Sequence, residues 1–123
     1  MHSDEVDRTI RDLLDRTEYS LSHLRELGPG ELNAHPGGHP NSPAWLLWHT
    51  GREIDMQLAH LSGGAEVWPR HREALGLGSI GDTLGYGHSA EEARSVRVDD
   101  HAALVAYIRD ALAAVRAHID DAP

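Results

Sequence analysis

Asn41-Ser42-Pro43-Ala44-Trp45-Leu46-Leu47-Trp48-His49-Thr50-Gly51-Arg52-Glu53-Ile54-Asp55-Met56-Gln57-Leu58-Ala59-His60-Leu61-Ser62-Gly63 reads as one helix with a marked beginning and end. Ser42 is suited to cap free backbone N–H groups, Pro43 fits the first helical turn, and Gly63-Gly64 can close the far end. Ala44 to Trp48 are apolar almost all round, as in a helix buried within a bundle. His49 follows this run, and Glu53, Met56 and His60 extend it into one stripe, because residues three or four apart share a helix face. An imidazole and a carboxylate on one inward stripe can hold a metal, or can hydrogen-bond to each other.

Two further helices flank this one. Upstream, Val6, Ile10, Leu13, Leu14, Thr17, Leu21 and Leu24 recur at helical spacing. Ser3 or Asp4 is placed to cap that helix, with Asp4, Glu5 and Asp7 in its first turn, and Gly28-Pro29-Gly30 should stop it near Leu27. Tyr19 and His23 sit beside its apolar face. Downstream, Asp99 should start a last helix whose apolar face is Leu104, Val105, Ile108, Leu112, Val115 and Ile119. His101 and His118 flank its two ends.

The connections carry most of the punctuation. Glu31 to Asn41 holds His35-Pro36-Gly37-Gly38-His39-Pro40, whose glycines and prolines predict a loop. That loop is a flexible entry to the second helix or a surface metal clip. Ala65 to His88 is long, with Trp68-Pro69, a short helical turn over Arg70 to Leu75, and glycines at 76, 78, 81, 85 and 87. Connections of this length in a small domain are functional or mobile. Trp68 is either a lid or an anchor for the connection, and Arg70-His71-Arg72 is either a site for an anionic group or a solvated turn. Ser89 and Glu92 form a capping box for a short helix over Ala90 to Ser95. No segment reads as a strand.

The chain has 123 residues, enough for a single domain over 1–123 with a modest core. Twenty acidic against eleven basic residues give a formal charge of −9, which disfavours nucleic-acid binding. No apolar run is long enough for a membrane span and no leader is evident, so the expected location is cytoplasmic. Cysteine is absent, which excludes disulfides, thiolate ligands and a cysteine nucleophile, so any thiol chemistry needs a thiol from outside. Ten histidines make metal ligation worth testing, although most lie in polar or loop contexts.

Ser42-Pro43-Ala44-Trp45-Leu46-Leu47-Trp48-His49 with Asp55 resembles the second-helix signature of the DinB-like superfamily of four-helix-bundle metalloproteins. Gly85-Tyr86-Gly87-His88-Ser89-Ala90-Glu91-Glu92 and Val96-Arg97-Val98-Asp99-Asp100 resemble the connection before that family's third helix. The likeness is greatest to its actinobacterial branch, which includes proteins similar to mycothiol-dependent maleylpyruvate isomerase. It implies an all-α, up-down bundle, here with three long helices, short helical turns in the long connection, and the fourth helix missing.

The resemblance further implies a divalent metal of the zinc or nickel class with His49 as a ligand, Glu53 and Asp55 orienting it from behind, and Trp68 and Arg70 near the substrate. The function implied is a metal-dependent, low-molecular-weight-thiol (mycothiol-like) S-transferase or isomerase acting on a small electrophile. Two further histidine ligands of the family have no counterpart here. The chain is therefore a piece of a longer bundle, a member that has lost the metal and serves as a binding or assembly module, or one that completes a different site from Glu53, His60, His88 or His101. A three-helix arrangement would leave an apolar groove, and a homodimer is expected to close it.

Overall fold

A computed structural model describes residues 4–121. Its helices are α1 (Asp4–His23), α2 (Pro29–Leu32), α3 (Pro43–Ser62), α4 (Arg72–Leu75), α5 (Ala90–Ser95) and α6 (His101–Asp121), with 3₁₀ turns at Pro36–Gly38, Trp68–Arg70 and Gly78–Asp82. There is no strand among the described residues, so the chain is all-α as expected. No helix among them is long and apolar enough to cross a membrane.

The boundaries of α3 follow its signals. The Ser42 hydroxyl accepts the Trp45 N–H at 3.0 Å, Pro43 occupies the first turn, and Gly63 ends the helix in the left-handed region. The Ser89–Glu92 capping box closes as read, opening α5 over the expected residues. The hydrogen bond from the Ser89 N–H, then the Ser89 side chain, hold the Glu92 carboxyl below its ordinary range against the opposing effect of burial.

Two ends differ. α1 stops at His23 rather than near Leu27, because the Leu27 N–H goes to Nδ1 of His101 at 3.3 Å instead of continuing the helical ladder. Gly28-Pro29 then starts a new turn, in which Glu31 reaches back to the Gly28 N–H. At α6 the capping carboxylate belongs to Asp100, which accepts the Ala103 N–H at 3.1 Å. Asp99 turns instead to the Asn33 amide, 3.0 Å away. Of the residues expected to cap α1, Asp4 lies within the helix and Ser3 is outside the described residues.

α3 and α6 form the centre. Gly51 faces Tyr107 so closely that a Cβ there would lie 2.6 Å from the ring. Trp45, Trp48, Leu104, Tyr107 and Ala111 pack with Trp68, Leu75, Ala93, Val96 and Val98 into one core. α1 docks on α6 through Leu14, flanked by Ile10 and Leu21, against Ile108 and Leu112. Val6, Leu13 and Leu24 from the expected apolar face stay exposed, since only one side of α1 meets a neighbour.

The stripe on α3 that is fully inward also differs from expectation. Trp48, Arg52 and Asp55 are buried against α6 and the long connection, while His49, Glu53 and Met56 lie at the boundary and His60 is exposed. The physical reason is that α6 covers one side of α3. Its other side borders an open groove of about 810 Å³ lined by Ile54, Leu58, Leu61, Leu84 and Val115 among others.

Candidate functional site

The long connection is held against α3 by its own carbonyl groups. Trp48 Nε1 donates to the Gly81 carbonyl at 3.2 Å, Arg52 Nη2 to that of Asp82 at 2.9 Å, and Arg52 Nε to that of Thr83 at 3.0 Å. The ring of His49 meets the fourth, Leu84, with Nδ1 2.7 Å from its oxygen. Four successive carbonyls are thus met by three side chains spaced along α3. The chain can pass this close because residue 85 is glycine, at φ +90° and pressed against both tryptophans and His49. A side chain there would need a left-handed backbone and space that the rings already fill.

Beneath this strap lies a buried polar network. Arg52 is 1% exposed, and its Nη1 reaches Glu66 at 2.7 Å and the Tyr107 hydroxyl at 3.2 Å. Its guanidinium lies 5.0 Å from the Trp68 ring centre, within range of a cation–π attraction. Burial opposes its charge, yet the bonds with Glu66 and Tyr107 outweigh that and keep its pKa raised. Asp55 accepts the N–H groups of Val67 and Trp68, each at 2.9 Å, and the Tyr107 hydroxyl at 2.7 Å. Burial, then the bond to Asp55, push the Tyr107 hydroxyl well above its ordinary range, so it remains a proton donor. Among the described residues no buried side-chain nitrogen or oxygen lacks a partner. Such a satisfied network fixes the connection to the bundle.

His49 stands at the edge of this network. Its ring stacks on Trp45 with centroids 4.6 Å apart, and its Nδ1 must carry the proton that the Leu84 carbonyl accepts. The Nε2 lone pair then points outward, 3.6 Å from Glu53 Oε2. The other carboxylate oxygen of Glu53 is oriented by Gln57 Nε2 at 2.6 Å. Glu53 and Leu84, whose oxygens face the two ring nitrogens of His49, both line the groove.

A metal-binding histidine characteristically gives its other N–H to a carbonyl or carboxylate, as His49 does. Two donors on a tetrahedral zinc stand about 3.4 Å apart, close to the observed separation. A protonated His49 paired with Glu53 would use the same arrangement. The pair therefore fits two donors of a divalent site. No group of three or more histidine, aspartate or glutamate side chains that could hold an ion occurs among the described residues.

The other candidates are dispersed. His60 lines the groove with Glu53, further along α3. His88 has both nitrogens engaged: Nδ1 accepts from Trp45 Nε1 at 3.2 Å, which leaves Nε2–H to meet the Thr83 hydroxyl at 3.0 Å. His101 is buried beneath Leu27, its Nδ1 committed to that N–H. Asp55 touches the connection rather than His49. Trp68 is 4% exposed, its Nε1 donating to Asp82 at 2.7 Å, so it anchors the connection. Arg70 sits on the surface 3.4 Å from Asp110 of α6, beside the His71–Asp110 pair at 2.7 Å.

Two residues with structural consequences were not singled out from sequence. Arg52 had a signal: Trp48, Arg52 and Asp55 share one face, placing a cation and an anion three apart on it. Asn33 had none. It clasps both the N–H and the carbonyl of Val98, at 2.9 and 3.0 Å, from 65 residues away.

The DinB superfamily model matches residues 12–122. The crystal structure of a conserved protein from Enterococcus faecalis aligns with 100% of this chain and 72% of its own, with a TM-score of 0.73 and 26% identity. No curated protein matches. With the family pattern spanning nearly the whole chain and the helical bundle matching a solved structure, the chain belongs to the DinB superfamily.

Proposed function

We propose that the chain is a divalent-metal-dependent enzyme of this superfamily in which His49 and Glu53 supply part of the donor set at the groove. The observation that carries this reading is the fixed His49 ring, with Nδ1–H tied to Leu84 and Nε2 facing Glu53. Gln57 orients the carboxylate, Trp45 keeps the imidazole from turning, and the groove offers apolar walls to a small electrophile. When bound, a zinc- or nickel-class ion would lower the pKa of an external low-molecular-weight thiol. The reaction class is S-transfer or isomerisation with a mycothiol-like thiol, consistent with a chain that has no cysteine of its own.

The remaining donors would come from a second copy seated on the groove, so the active form is a homodimer. A strictly monomeric species by sedimentation at assay concentrations contradicts that assembly. Elemental analysis of tag-free protein, wild type beside His49→Ala, tests the site itself. About one divalent metal per chain, lost in the variant, is expected. No metal after supplementation favours the second reading, a non-catalytic binding or assembly bundle, which draws support from the lack of a three-donor cluster among the described residues.

A further inference from the structure

The Leu84 carbonyl decides which nitrogen of His49 carries the proton, so whatever fixes that carbonyl also sets what His49 presents to Glu53. Among the described residues the Leu84 carbonyl has no side-chain partner other than His49. The two carbonyls immediately before it are tied into the network: Asp82 and Thr83 are both held by the single guanidinium of Arg52, whose Nη1 goes to Glu66 and Tyr107.

We infer that Arg52 is a positioning residue for His49. By clamping the carbonyls of residues 82 and 83, it places the carbonyl of residue 84 where it takes the Nδ1 proton and keeps the Nε2 lone pair toward Glu53. Its functional meaning rests on reading His49 as a metal donor, whereas the tautomer is a property of this chain alone. Among the described residues no hydrogen bond or ion pair joins the Arg52 side chain to His49, and Arg52 does not itself line the groove, so its effect passes through the backbone of residues 82–84. Lysine could not substitute, since one ammonium lacks the planar fork that reaches two successive carbonyls and a carboxylate together.

The test uses metal-free protein labelled with ¹⁵N at histidine, with long-range ¹H–¹⁵N spectra recorded at a pH where His49 is neutral. Wild type is expected to show the Nδ1–H form. In Arg52→Met, and to a smaller extent in Arg52→Lys, the population should move to Nε2–H. Glu66→Gln leaves both carbonyl bonds in place and should keep the wild-type tautomer, which separates positioning from general loosening of the network. Zinc titration of the same proteins should show affinity reduced about 10–100-fold in Arg52→Met, the usual effect of losing a group that orients a ligand.

An Arg52→Met protein with wild-type near-ultraviolet circular dichroism and an unchanged Nδ1–H tautomer overturns the inference. Should that variant not fold, Arg52→Lys decides in the same way, with a fully retained Nδ1–H form counting against it. Wild type that takes up no zinc would remove the metal reading, while the tautomer comparison would still decide the role of Arg52.

Discussion

Replacing Gly85 with alanine strikes the point where connection, tryptophan core and His49 meet. A Cβ there would lie 2.8 Å from Trp48 Cζ3, 3.0 Å from Trp45 Cζ2 and 3.1 Å from His49 Nδ1. None of these can easily retreat: Trp48 is fully buried and tied to the Gly81 carbonyl, and Trp45 is tied to His88. The left-handed backbone costs a non-glycine residue about 1–2 kcal/mol. Overpacking a filled core adds about 1–3 kcal/mol.

The expected loss is therefore about 2–5 kcal/mol, or roughly 4 °C of Tm per kcal/mol for a chain of this size. Gly87→Ala is the internal control, because Gly87 has φ +81° but nothing within 4 Å of its added Cβ, leaving only the backbone part. Urea unfolding followed by tryptophan fluorescence measures both variants. The reasoning fails if Gly85→Ala is no less stable than Gly87→Ala and its near-ultraviolet dichroism matches wild type.

Gly51→Ala should cost about 1–3 kcal/mol in urea unfolding, since its Cβ would meet the Tyr107 ring at 2.6 Å and force α3 from α6; wild-type stability would show that the helices part freely. Tyr107→Phe removes one bond from each of Asp55 and Arg52 while both keep other partners, so a loss of about 1–2 kcal/mol is expected from the same measurement. The Arg72 guanidinium, then the Trp68 N–H, hold the Asp82 carboxyl below its ordinary 3.8. Because the folded value is depressed, this contribution is fully present above about 3.8 and is lost as pH falls toward the folded value. Asp82→Asn should flatten that part of the acid limb of stability in urea melts across pH, and an unchanged slope would contradict it.

The helices were legible because their signals are local. Ser42, Pro43 and Gly63 act within one turn of the ends they mark, as do Ser89 and Glu92 at α5. The end of α1 was not legible, because the group that captures the Leu27 N–H is His101, 74 residues away. The same limit applies at α6, where Asn33 draws Asp99 away from capping and leaves the role to Asp100.

Within the candidate site, the four-residue spacing of His49 and Glu53 correctly put them side by side. Spacing does not reveal which face of α3 a neighbour covers, so the buried face proved to be that of Trp48, Arg52 and Asp55. His88, as a loop residue, carried no sequence sign that Trp45 and Thr83 would occupy both its nitrogens. The length of the connection pointed to function or mobility without showing that Gly85 within it serves close packing.

Histidine ¹⁵N spectra of wild type, before and after one equivalent of zinc, test the proposed role of His49 most directly. Coordination predicts a large change at His49 Nε2 while its Nδ1–H stays bonded to Leu84. Changes confined to other histidines, or none at all, would contradict it.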